Sequence, residues 1–164
     1  MLDSIQTNIG FVFSNESLLE LALTHKSFDN KSNNERLEFL GDTVLNSIIS
    51  QYLFLKYPEI PEGLLSRIRS QLVKSDSLSK KAKSLKLHKA VRLSKGTLNI
   101  NDLHKKSIYE GCFEALIGAI YLDGGWDQAT LVTINIFSDE LNDISTDDSF
   151  KDPKTELQEL FQSL

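Results

Sequence analysis

Between residues 34 and 57 no proline interrupts the chain, and apolar residues recur at three- and four-residue spacing, which predicts one long helix. Leu37, Leu40, Val44 and Ile48 share one side of it, and beyond Asp42 the segment is apolar nearly all round through Leu55. A helix of that kind must be enclosed by others. The rest of the chain supplies them: it holds only three prolines and eight glycines, and its other apolar repeats also have helical spacing. The fold class is all-α, with helices expected over 5–9, 16–23, 34–57, 62–73, 75–85, 103–122 and 126–144, and a short turn near His88. Pro58 and Pro61 bracket one turn, Ser75 and Asp76 can cap the helix that follows, and Gly124-Gly125 is a stop signal.

At 164 residues and 40% hydrophobic content, the chain can bury one proper core. That core is expected within residues 1–145. Residues 146–164 read as an acidic linker followed by the start of a further helix, PKTELQELFQSL, the remnant of a second domain. The single cysteine, Cys112, excludes an internal disulfide and a Cys-rich zinc site, and it suits the reducing cytoplasm. The N-terminal MLDSIQTNIG has no signal-peptide pattern, and the apolar run 115–122 is too short to span a bilayer, so no membrane partner is expected.

A net charge of −5 argues against a uniformly cationic nucleic-acid binder. Its distribution is uneven. Residues 74–95 carry seven Lys and one Arg against Asp76 alone, whereas 138–152 carry six acids and only Lys151. The basic segment is either a surface for a polyanion or the solvated face of a helix.

Glu35, Glu38 and Asp42 fall within about 60° of one another around the long helix. Clustered, partly buried carboxylates take up protons unless a cation neutralises them. A divalent metal would serve, while Arg36 or the positive end of the helix dipole could instead account for Glu35. Phe39 lies within about 40° of Glu35, on the acidic side rather than the core side. It points either to a partner's pocket or to a covering helix of the same chain.

Glu110 and Glu114 are four apart on a second apolar helix that carries no further charge until Asp123. Two such helices packed together, with Gly118, Ala115 and Ala119 permitting close approach, could assemble oxygen ligands for Mg²⁺. Carboxylate-bound Mg²⁺ can activate water and stabilise in-line attack on a phosphodiester. A di-iron bundle would need Glu-x-x-His pairs, and neither His25, His88 nor His104 belongs to one. Nothing in the sequence links a histidine to Cys112 for thiol chemistry.

The segment NERLEFLGDTV (34–44) closely resembles the ribonuclease III signature. LLELALTHKSF (18–28), PEGLLSRIRSQLV (61–73) and SIYEGCFEALIGAIYLDGG (107–125) follow the same pattern in the same order, so the likeness covers nearly the whole chain up to the acidic linker. The resemblance implies an all-α endonuclease domain that forms a symmetric homodimer. Its two catalytic centres would line one valley, each cutting one strand of double-stranded RNA to leave short 3′ overhangs, with ribosomal RNA precursors among the expected substrates. By position, Glu38, Asp42 and Glu114 would bind catalytic Mg²⁺ (or Mn²⁺), with Asp42 and Glu114 acting in catalysis. Glu35 and Glu62 would be supporting or RNA-facing groups, and Phe39 the ball of a ball-and-socket dimer contact. Lys74, Lys80, Lys81, Lys105 and Lys106 are the expected contacts to the RNA backbone. The last residues resemble the lead-in to a double-stranded-RNA-binding domain.

One position departs from the family pattern. Where the family has an aspartate three residues before the last catalytic glutamate, this chain has Gly111. Glu110 is adjacent, but its direction differs from that of position 111 by about 100°. Compensation by Glu110 or water would preserve cutting, whereas without it the chain would be a dimer that holds RNA and does not cleave; an engineered replacement at 111 is a further possibility. A third function class, a carboxylate-metal nucleotide pyrophosphatase, would act on free nucleotides instead.

Overall fold

The computed structural model describes residues 1–97 and 101–144. Among these residues the helices are α1 (Leu2–Ile9), α2 (Glu16–Ala22), α3 (Glu35–Lys56), α4 (Glu62–Leu72), α5 (Ser75–Ser84), α6 (Asp102–Ile136) and α7 (Ser138–Asn142), with a 3-10 turn at Leu87–Lys89. No strand forms among them. One isolated parallel bridge joins Thr24 to Arg92. No helix among the described residues is long and apolar enough to cross a membrane. The expected acidic linker and final helix fall at 145–164, outside the described residues.

The expected central helix is α3, and α6 packs along it. Leu45, Ile48, Ile49 and Leu53 meet Leu116, Ile117 and Ile120 in a core closed to solvent. Burial of such side chains contributes about 1.5–3 kcal/mol each, which is why these two helices hold the fold together. The two backbones touch at glycines. A Cβ on Gly41 would overlap the Glu114 carbonyl of α6, and one on Gly118 would overlap the Leu37 carbonyl of α3. Helices α5 and α2 also pack on α6, and α4 packs on α3.

Two expected helices, 103–122 and 126–144, prove to be differently divided. Helical hydrogen bonding continues through Gly124, and the backbone breaks at Gly125 alone (φ 76°, ψ −174°), a conformation that essentially only glycine adopts. The final segment then divides at Phe137, which is fully buried and meets Phe113 edge-to-face at 6.0 Å. Lys81 from α5 crosses to this corner. Its Nζ donates to the Ile136 carbonyl (2.7 Å), pairs with Glu140 (2.6 Å) and lies 5.2 Å from the Phe137 ring centre. With its side chain only 13% exposed, Lys81 serves the fold, and the structure withdraws it from the expected phosphate-facing lysines.

Two tethers fix the entry to α3. Both Asp123 oxygens accept backbone N–H groups, from Ser14 (2.7 Å) and Asn15 (2.9 Å), tying the start of α2 to α6. Asn34, buried, donates its side-chain amide to the Ala22 carbonyl (3.2 Å) and its N–H to the Thr24 carbonyl (2.8 Å). The first turn of α3, with its acids, therefore starts from an anchored point.

Candidate active site

The Gly41–Gly118 crossing sets where the carboxylates stand. Because α3 touches α6 at Glu114, the acidic side of α3 is carried onto the acidic end of α6. Glu38 and Glu114 are both half-buried there, and Asp42 is exposed beside them. Glu110 is half-buried as well, and its Oε2 accepts a hydrogen bond from the Ser75 hydroxyl at the start of α5 (2.5 Å). Asn46 donates its amide to Asp42 Oδ1 (2.7 Å) and to the Asp42 carbonyl (2.9 Å), which orients that carboxylate.

Mutual repulsion shows in the proton affinities. Burial pushes the Glu114 carboxyl up to about 8, and the charges of Asp42, Glu110 and Glu38 add to it. Glu38 is also raised, first by burial and then by Glu35 and Glu110, with Lys26 opposing. Cys112, fully buried, is pushed up to about 12 by burial and then by Glu38, so its thiol is no nucleophile.

The expected site residues do not all gather. Glu35 is exposed and pairs with Lys26 Nζ (2.7 Å), at the rim. Glu62 lies apart, in a groove of about 460 Å³ between α3 and α4, where Ser66 Oγ donates to it (2.7 Å) and Arg69 donates to Ser50 (2.7 Å). The fold does not bring it to the carboxylates of its own chain. Phe39 is 80% exposed, so no helix of the described residues covers it; with Leu18, Leu21 and Leu122 it lines a hollow of about 810 Å³. Lys74 and Lys80 are exposed, Lys105 is half-exposed, and Lys106 pairs with Asp76 (2.6 Å). The residues that sequence reasoning missed are Ser75, Asn34, Gly41 and Lys26. The first three act across the fold; Lys26 lay within a quoted motif but carried no spacing signal of its own.

A family model described as ribonuclease-III-like matches residues 15–140. The ribonuclease 3 of Ectopseudomonas mendocina is 44% identical over 162 residues, which span 99% of this chain and 70% of that protein. The chain belongs to the ribonuclease III family. Ribonuclease 3 of Thiobacillus denitrificans is 43% identical, again across 99% of this chain and 72% of its own length. The nuclease domain of ribonuclease III from Campylobacter jejuni superposes with a TM-score of 0.81 at 37% identity, covering 87% of this chain and 99% of that one. Dicer from Pichia stipitis gives a TM-score of 0.61 at 27% identity, over 79% of this chain and 57% of that one. The resemblance seen in the signature segments thus extends to the fold, and the chain is a ribonuclease III-type endoribonuclease.

For a ribonuclease III centre the donor chemistry fits a hard divalent cation: carboxylates only, half-buried and repelling one another. As the side chains stand, no three His, Cys, Asp or Glu groups among the described residues converge on one point. The crossing at Gly41 and Gly118 fixes the backbones that carry Glu38, Asp42 and Glu114.

Stability should report this repulsion. Glu114 holds its proton in the folded state up to about pH 8, whereas the unfolded chain releases it near the ordinary value of 4.5. Between those limits the folded state binds more protons, so stability falls as pH rises and levels off above pH 8. With chelator present, and allowing for partial solvent screening, the fall should be about 2 kcal/mol, seen as a decreasing Tm. Excess Mg²⁺ should flatten the slope. A Tm that rises with pH in chelator would contradict the assignment of Glu114 as a strained, half-buried acid.

Proposed function

We propose that this chain hydrolyses phosphodiesters of double-stranded RNA with Mg²⁺ held by Glu38, Asp42 and Glu114, working as one half of a symmetric dimer. The observation that carries the reading is the crossing at Gly41 and Gly118, which brings the acids of α3 to the half-buried Glu114 of α6, whose carboxyl is raised first by burial and then by Asp42, Glu110 and Glu38. Bound there, Mg²⁺ would supply an activated water and neutralise charge on the scissile phosphate. Glu38 and Glu114 supply charge from the floor of the site, and Asp42, oriented by Asn46, supplies it from the rim. Lys26 keeps Glu35 paired and so limits the anionic field that an incoming phosphate meets.

Lys74 and Lys80 on or beside α5, and Lys105 and Lys106 near the start of α6, would supply the cationic contacts to the RNA backbone, Lys106 on leaving its pairing with Asp76. Contacts of this kind read the backbone and 2′-hydroxyls of an A-form helix, so sequence preference is weak and binding falls steeply with salt. Structured precursor RNAs of the cytoplasm, ribosomal ones included, are the substrate class that suits such a surface.

The test is incubation with a long RNA duplex and Mg²⁺ or Mn²⁺, beside a Gly111→Asp variant. The reading predicts shortened duplexes from the natural chain. An intact duplex with both metals would overturn it; cleavage by the variant alone would favour a dimer that binds RNA without cutting. Pyrophosphate release from free nucleotides, with the duplex untouched, would favour a pyrophosphatase.

The Campylobacter jejuni nuclease domain has a region involved in dimer formation. The dimer proposed for this chain rests on Phe39, which presents its ring to solvent beside an acidic site. Phe39→Asp should convert the protein to monomer in sedimentation and leave its helical content unchanged. A variant that still sediments as a dimer would remove Phe39 from the contact.

A further inference from the structure

A small polar cleft opens beside Glu38, where the segment after α2 and the start of α3 meet α6. It holds about 160 Å³, and His25, Asn34, Glu38, Ser107 and Gly111 line it. Two of its groups are unsatisfied and complementary. The first is a fixed donor. The Ser27 N–H, which can only donate, lies 3.1 Å from His25 Nδ1, and the Ser27 hydroxyl lies 2.9 Å from the same nitrogen. That hydroxyl accepts the Ser94 N–H (3.2 Å), which leaves its own proton for Nδ1. Nδ1 therefore carries no proton, and the neutral ring holds its N–H at Nε2, from which nothing among the described residues accepts. The second is a buried acceptor. Asn34 is only 2% exposed and stands at the N-cap position of α3, where an asparagine oxygen ordinarily accepts a helix N–H. It makes no such bond, because its amide is turned to donate to the Ala22 carbonyl. Its Oδ1 accepts nothing from the described residues and is not sealed inside the protein, so it opens on the cleft that Asn34 lines. The two residues are neighbours, since the Asn34 N–H donates to the carbonyl of Thr24 (2.8 Å), the residue before His25.

We propose that this cleft takes a ribose 2′-hydroxyl of the duplex being cut, with His25 Nε2 donating to its oxygen and Asn34 Oδ1 accepting its proton, and that this pair selects RNA over DNA. The inference rests on the duplex-RNA reading above and names the groups behind its specificity. A hydroxyl both accepts and donates, and so satisfies both residues at once. A phosphate oxygen can only accept and would leave Asn34 Oδ1 empty, and Lys26, the cation at the cleft, is already paired with Glu35 (2.7 Å). Paired bases lie inside the helix, whereas the 2′-hydroxyls of an A-form duplex stand along its open minor groove. Each shares its ribose with a 3′-phosphodiester, so a cleft beside Glu38 receives one close to the bond being cut.

The experiment measures kcat/KM with Mg²⁺ on a short RNA duplex cut at one defined bond, and on copies carrying a single 2′-fluoro or 2′-deoxy nucleotide at each position flanking that bond. Fluorine keeps the A-form sugar but cannot donate, so it empties Asn34 Oδ1 while the duplex keeps its shape. For the natural chain, either substitution at one position should cost about tenfold, the worth of one well-placed hydrogen bond. His25→Phe keeps a ring and loses the donor. It should cut the all-ribose and substituted duplexes at equal rates, near that of the natural chain on the substituted one. Because Asn34 also tethers α3, its part is read from the substrate and not from a variant. If the natural chain cuts every duplex at the same rate, the inference fails and duplex cleavage stands. If the deoxy sugar slows cutting and fluorine does not, sugar shape is being read and the Asn34 contact is overturned. A His25→Phe variant slowed by the same factor on every substrate would give the ring a structural role and remove it from the hydroxyl. An all-ribose duplex left uncut by the natural chain overturns the reading beneath and takes the inference with it.

Discussion

Glu114→Gln is expected to reduce duplex RNA cleavage by on the order of a thousandfold or more, the loss anticipated when a ligand to the catalytic metal is neutralised. The same substitution should stabilise the metal-free protein at high pH. Glutamine cannot ionise, so the cost of charging a half-buried group among Asp42, Glu110 and Glu38 disappears. At about pH 8.5 in chelator the variant should melt several degrees above the natural chain, and at about pH 5, where Glu114 keeps its proton, the two should coincide. Activity and stability move in opposite directions only if the residue is held against its own electrostatics for function. Retained cleavage would contradict the catalytic role, and a lower Tm at high pH would contradict the strain.

Gly41→Ala is expected to have the largest effect on the fold. Its methyl would overlap the Glu114 backbone carbonyl, and neither partner is the movable end of a side chain, so α3 and α6 must separate. Overpacking at a contact between two backbones should cost about 3 kcal/mol or more, lowering Tm by about 10 °C. Cleavage should fall further than the loss of folded protein explains, because the crossing also sets the distance between the acids of α3 and those of α6. Gly63→Ala is the control. Nothing lies within 4 Å of a Cβ there, and an alanine in the first turn of α4 should leave Tm unchanged or raise it slightly. A Gly41→Ala variant as stable as Gly63→Ala would show that the crossing is looser than described.

What could be read in the sequence was whatever one helix shows by itself. The 35–38–42 spacing put three acids on one side of α3, the 110–114 spacing put two on α6, and Phe39 stood off the core stripe; the first pattern needs only the 3.6-residue period. Gly118 was legible as a close-approach residue because it interrupts an apolar run. Gly41 was not, since it sits inside a signature rich in function and its contact is the backbone of another helix. Lys81 shows the opposite failure: its charge fitted a basic run, but the fold set its Nζ against Glu140, the Ile136 carbonyl and the Phe137 ring. The Ser75 clamp on Glu110 joins helices far apart in sequence, and the Asn34 tether reaches back across the loop before α3; no local periodicity encodes either. The helix break at Gly125 was anticipated, although hydrogen bonding carries α6 across it.

The most direct test of the central claim is a crystal of this chain soaked in Mn²⁺ and measured at a wavelength where manganese scatters anomalously. An anomalous peak between α3 and α6, bonded to oxygens of Glu38, Asp42 and Glu114, is the predicted result. A peak elsewhere on the molecule, with those three carboxylates pointing apart and unbound, would contradict it.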